Sequence, residues 1–344
     1  MQTTTALRLY GKRDLRLETF DLPEMRDDEI LASVVTDSLC LSSWKEANQG
    51  ENHKKVPDDV ADEVMEQDCL LAYEGETYFE GSLVEPLSCV IGAFNANYHL
   101  QEGSYNHKMG IRPQGHTLIL GGTGPMGLLA IDYALHGPVN PALLVVTDTN
   151  NDKLSYARKH YPSEPQTLID YLHAQDASYD TLMALSGGHG FDDIFVFVPN
   201  EQLVTLASSL LAADGCMNFF AGPQDKQFSA PINFYDVHYA FTHYVGTSGG
   251  NTDDMRAAVK LIEEKKVQAA KVVTHILGLN AAGETTLELP KIGGGKKLVY
   301  TGKALPLTAL TQIDDPALRD ILERHQGVWS QEAEQYILSH AEEI

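Results

Sequence analysis

The run Gly122-Thr123-Gly124-Pro125-Met126-Gly127 constrains this chain more than any other feature. It directly follows the apolar stretch Thr117-Leu118-Ile119-Leu120 and opens a segment, 125 to 135, whose apolar spacing predicts a helix. Glycines at this spacing between a strand and a helix have distinct uses. The first permits a tight turn, the second lets the backbone approach a ligand, and the third lets helix and strand pack closely. The unpaired N–H groups and partial positive charge at such a helix start suit a pyrophosphate. Asp148 stands 21 residues after Gly127, at the end of the next apolar run. A carboxylate there accepts hydrogen bonds from ribose hydroxyls and repels a 2′-phosphate. The neighbours Thr149, Asn150 and Asn151 add no cation. Together Gly122, Gly124, Pro125, Met126, Gly127 and Asp148 predict a nicotinamide dinucleotide site that favours NAD(H) over NADP(H).

From residue 115 onward the text alternates between apolar runs and helical spacing, the signature of a parallel sheet covered on both faces. Predicted strands lie at 117 to 120, 143 to 147, 193 to 198, 217 to 221 and 243 to 247. Predicted helices lie at 125 to 135, 153 to 160, 181 to 185, 201 to 212 and 253 to 265. In a doubly wound sheet the ligand sits past the strand ends, so Val198-Pro199 and Thr247-Ser248 are expected at the nicotinamide end of the cofactor. Upstream, short β-prone runs at 6 to 10, 15 to 20 and 29 to 36 suggest a mainly β region. The polar stretch from Lys45 to Glu63 is expected to be a loop or junction, and 83 to 97 an apolar helix. Length also argues for two domains, since 344 residues exceed one ordinary core.

Acidic residues outnumber basic ones 48 to 25, a formal net charge of -23. That field repels nucleic acid and anionic lipid, so neither is an expected partner. The start of the chain lacks a basic, apolar leader and no apolar run is long enough to span a bilayer, which predicts a cytoplasmic protein with no membrane partner. Cys40, Cys69, Cys89 and Cys216 are scattered, with no pattern of a disulfide framework or a self-contained zinc knot.

Four segments beside the glycine motif resemble the medium-chain, zinc-dependent alcohol and polyol dehydrogenases. They are Cys40-Leu41-Ser42-Ser43-Trp44-Lys45, Leu83-Val84-Glu85-Pro86-Leu87-Ser88-Cys89, Val273-Thr274-His275 and Gly293-Gly294-Gly295-Lys296-Lys297-Leu298-Val299-Tyr300. The sorbitol dehydrogenase-like branch is nearest, its reductases of L-sorbose 1-phosphate in particular. The resemblance implies an α/β fold in which a Rossmann domain, 115–268, is inserted into a GroES-like catalytic domain, 1–114 and 269–344. It implies an NAD(H)-dependent oxidoreductase interconverting a ketose or its phosphate with the matching polyol, acting as a homo-oligomer on a small-molecule substrate. By the same resemblance Cys40 and Glu85 match catalytic-zinc ligands, and Ser42 the hydroxyl that relays the substrate proton. Arg112, Lys108, Lys296 and Lys297 are the cations nearest the expected domain borders and the candidates for a sugar phosphate.

The chain also departs from the family. Only 45 positions separate Cys40 from Glu85, and the Gly-His-Glu motif that supplies the family's zinc-binding histidine is absent from the sequence. A block of several dozen residues, including any structural-zinc lobe, is expected to be missing near 60 to 62. Two ligands fall short of the three a catalytic zinc needs. His53, among Glu51, Asn52, Lys54 and Lys55, reads as a surface side chain. Two alternatives therefore stand beside the oxidoreductase: a cofactor-binding homologue with impaired turnover, and a zinc-free reductase.

Overall fold

The computed structural model describes residues 3–25, 30–50 and 71–344. They form two compact units, one made of Met1–Leu83 with Ala270–Ile344 and the other of Val84–Ala269. The second unit is a six-stranded sheet in the spatial order Leu168–His173, Leu143–Asp148, His116–Leu120, Phe191–Val196, Leu211–Phe219, His243–Gly246. All five strand pairs are parallel. From its first strand the chain builds outward in one direction, then crosses to the other side at Phe191–Val196. This leaves a switch point beside His116–Leu120, where an open sheet of this kind presents its ligands. The α/β, Rossmann-type architecture expected from the alternating pattern is therefore present.

The sheet's core is a buried apolar cluster that includes Leu118, Leu120, Val145, Phe191, Ile194 and Val196. Helix Val84–Ala96 is buried on nearly all sides, as its almost unbroken apolar text requires. Its Phe94 ring stacks on Phe195 at 4.4 Å and meets Tyr133 edge-on at 5.1 Å. The strand Leu168–His173 has no counterpart among the predicted strands. Leu168 is 68% exposed while Ile169 and Tyr171 are buried, so this half-wet edge lacks the continuous apolar run that marked its neighbours.

In the first unit Thr3–Gly11 and Asp14–Asp21 form an antiparallel hairpin with Leu7 opposite Leu17. A second sheet runs Thr308–Ala309, Val273–Gly278, Lys296–Tyr300, Thr36–Leu39. The third β-prone run, expected at 29 to 36, is displaced: the strand is Thr36–Leu39, paired Lys297 to Leu39 and Tyr300 to Thr36. Ile30, Leu31 and Val34 before it are exposed. The available partner strand, and not local propensity, set this register. The start of the polar stretch is also corrected. Leu41–Gln49 is a helix that buries Ala47 and ends at Gly50, whose φ of 56° is left-handed. A side chain at Gly50 would collide with the Lys12 backbone nitrogen at 2.6 Å, so the turn needs glycine. The remainder of that stretch, His53 and the expected gap near 60 to 62 lie outside the described residues. No helix among the described residues is long and apolar enough to cross a membrane.

Candidate cofactor and active site

Strand His116–Leu120 delivers the chain into the glycine loop, and the N–H groups of Gly121 and Gly122 both donate to the Thr147 carbonyl, at 3.0 and 2.9 Å. The loop is fitted around absent side chains. A Cβ on Gly122 would lie 2.6 Å from Val146 Cγ1, and one on Gly127 would lie 2.3 Å from the Gly122 carbonyl oxygen. A Cβ on Gly124 would meet nothing within 4 Å, so here the backbone is bare towards open space. Gly124 is the N-cap of helix Pro125–His136, with no side-chain cap and with Pro125 in the first turn. Its first N–H groups thus keep their donor capacity for a ligand. A bare helix start, a glycine left open and a carboxylate alongside fit the pyrophosphate and ribose of a dinucleotide.

That carboxylate is Asp148, half-buried at the end of Leu143–Asp148. Its Oδ2 accepts the Thr123 N–H and its Oδ1 the Asn150 N–H, each at 3.1 Å. Asp148 therefore braces the loop, a duty that spacing alone did not reveal. Val198 and Pro199 lie just past Phe191–Val196, with the Val198 side chain filling the space a Cβ on Gly121 would need. Thr247 and Ser248 follow the edge strand His243–Gly246. The Thr247 hydroxyl donates to Asn218 Oδ1 at 3.2 Å. Val198, Pro199, Thr247 and Ser248 sit beyond the C-terminal ends of their strands.

The metal candidates are distributed differently. Cys40 and Ser42 belong to the first unit and Glu85 to the second. Cys40 precedes helix Leu41–Gln49, and its Sγ lies 3.8 Å from Ser43 Oγ. Burial pushes its thiol pKa up, but hydrogen bonds from the Ser43 backbone and the Ser42 and Ser43 hydroxyls, with the charge of Lys296, bring it below the usual value. Glu85 accepts the Cys89 thiol at 3.2 Å. Among the described residues, no group of three or more His, Cys, Asp or Glu is placed to hold a metal ion. This donor set does not fit a catalytic zinc.

Of the candidate phosphate cations, Arg112 and Lys297 are engaged elsewhere. Arg112 pairs with Asp192 and Asp214, each at 2.8 Å. Lys297 is buried and donates to the carbonyls of Gly293 and Gly295 at 2.9 and 2.7 Å. Lys296 is buried too, whereas Lys108 is exposed. His99 is fixed between Asp193 Oδ1 at 3.2 Å and the Asp214 carbonyl at 2.8 Å.

A family described as zinc-binding dehydrogenase matches residues 125–264. L-sorbose 1-phosphate reductase of Klebsiella pneumoniae is 72% identical over 407 aligned positions, covering 100% of this chain and 99% of the relative. Among solved structures, 2R,3R-butanediol dehydrogenase from Bacillus subtilis shares the fold with a TM-score of 0.67 at 16% identity, over 87% of this chain and 100% of that one. A protein from Sinorhizobium meliloti 1021 solved with NADP bound has a TM-score of 0.66 at 15% identity, over 88% and 100%. The resemblance expected from the motifs is thus borne out, and the chain belongs to the zinc-binding dehydrogenase family of nicotinamide-dependent oxidoreductases.

Proposed function

We propose that the chain binds NAD(H) in preference to NADP(H) and uses it to interconvert a ketose phosphate and the matching polyol phosphate. The observation that carries this reading is the bare N-terminus of helix Pro125–His136 with Asp148 locked beside it. Gly122, Gly124, Pro125, Met126 and Gly127 hold the pyrophosphate, Asp148 the adenosine ribose, and Val198, Pro199, Thr247 and Ser248 the nicotinamide end. The substrate class rests on the relative that reduces L-sorbose 1-phosphate. Ser42 passes the substrate proton, and Cys40 with Glu85 are what this chain retains of the family's zinc ligands. The resemblance further supports a cytoplasmic homo-oligomer.

A second reading, retained cofactor binding with impaired turnover, draws on the incomplete donor set. It also draws on the alignment with the reductase, whose 407 positions exceed this chain's 344 residues by 63. We infer that the excess falls between Cys40 and Glu85, where the family's Gly-His-Glu motif belongs. Losing a Lewis acid forfeits several kcal/mol of transition-state stabilisation, roughly a thousandfold in rate. Fluorescence titration with NADH tests both readings, and absence of saturable binding sinks both. Zinc content and NADH oxidation with L-sorbose 1-phosphate then separate them. Stoichiometric zinc with rapid turnover supports the first reading; tight NADH binding without zinc or turnover supports the second.

A further inference from the structure

We infer that Asn218 is a positioning residue, which sets the Thr247 hydroxyl as a hydrogen-bond acceptor for the carboxamide N–H of a bound nicotinamide. The inference rests on the reading above, that Thr247 lies at the nicotinamide end of the site.

Asn218 is fully buried in strand Leu211–Phe219, amid the apolar text Met217-Asn218-Phe219-Phe220. A buried amide is costly unless its polar atoms are paired. Its Nδ2 donates to the Ala93 carbonyl at 3.0 Å, and its Oδ1 accepts the Thr247 hydroxyl at 3.2 Å. Ala93 is one of the last four residues of helix Val84–Ala96, whose carbonyls have no partner within the helix. A carbonyl only accepts, so the amide has one workable orientation: Nδ2 to Ala93 and Oδ1 to Thr247. The Thr247 hydroxyl must then spend its single hydrogen on Asn218, and what remains to it is lone pairs. The primary carboxamide of nicotinamide carries N–H donors that match such an acceptor.

The chain after Thr247 is fixed as well. A Cβ on Gly250 would stand 2.4 Å from the Ser88 carbonyl oxygen, so this loop lies directly on helix Val84–Ala96. Asn251 and Asp254 close a capping box, and Asn95 Nδ2 donates to Asp254 Oδ1 at 2.7 Å. Thr247 therefore leaves its strand with its hydroxyl oriented by Asn218 and its following loop seated on the same helix.

The test uses the full chain and two ligands, NADH and ADP-ribose, which lacks the nicotinamide. Asn218→Ala and Thr247→Val are each expected to weaken NADH binding about tenfold, the scale of one lost hydrogen bond, and to leave ADP-ribose unchanged. Thr247→Ser keeps the hydroxyl and should bind NADH like the parent. The double variant should be no weaker than Thr247→Val alone, because Asn218 acts through Thr247. Equal weakening of both ligands by Asn218→Ala, additive losses in the double variant, or no change for NADH would overturn the proposal. Should Asn218→Ala fail to fold, equal NADH affinities of Thr247→Val and Thr247→Ser overturn it. If the unaltered protein binds neither ligand, the dinucleotide reading fails first and takes this proposal with it.

Discussion

Helices Pro125–His136 and Thr252–Glu263 belong to the same unit and begin in opposite ways. The second starts at Asn251, whose side chain accepts the Asp254 N–H while Asp254 accepts the Asn251 N–H, so the turn satisfies itself. Four other helices of the unit are closed by the side chains of Asn150, Ser178, Asn200 and Asn233. The first starts at Gly124 with no side chain to close it. A self-satisfied start contributes stability, whereas an open one keeps N–H donors and partial positive charge for an anion. In a chain of net charge -23, that local reversal of sign is what a dinucleotide needs.

Changes at the open start should cost binding, and changes at the closed start should cost stability. The largest effect is expected from Gly127→Val. The Cβ position lies 2.3 Å from the Gly122 carbonyl oxygen, so the loop must shift, and NADH affinity by fluorescence titration should fall about a hundredfold or more. Next, on the proposed reading Asp148→Ala removes both a ribose acceptor and the repulsion of a 2′-phosphate. The ratio of NADPH to NADH affinity should rise about tenfold or more; an unchanged ratio would break the assignment of Asp148. Gly124→Asn supplies the cap that the open start lacks, so NADH should bind several-fold more weakly while thermal stability without ligand rises by a few tenths of a kcal/mol. Asn251→Ala, at the closed start, should lower stability by about 1 kcal/mol, seen as a Tm drop of roughly 2 to 4 °C. ADP-ribose affinity should stay put in that variant, and a parallel loss would erase the distinction between the two starts.

The glycine loop and the helix start after it were legible because their requirements are local. Strand, glycine loop and helix start follow one another within a few residues, and Asp148 closes the next strand, so spacing carries the geometry. Gly124 and Gly127 had functions assignable from sequence order alone. Asn218 did not: its only mark in the sequence is one amide within an apolar strand, and its partners Ala93 and Thr247 are distant in the chain. The same limit explains the displaced strand Thr36–Leu39, whose register depends on Lys296–Tyr300, more than 250 residues further along the chain. It also explains Arg112, which reads as a candidate for a sugar phosphate until the fold sets Asp192 and Asp214 against it.

The sequence by itself determined the parallel α/β unit, the family and the uncapped glycine-lined helix start, because each depends on short-range periodicity and backbone freedom that residue types encode directly. The missing histidine motif was equally a matter of reading. The tertiary structure decided which polar groups are spent and which remain available: Asp148 is shared with the loop, Lys297 is consumed by three backbone carbonyls, and the hydrogen of Thr247 is committed to Asn218. Those outcomes turn on hydrogen-bond partners brought together from distant positions, and no spacing rule along the chain specifies them.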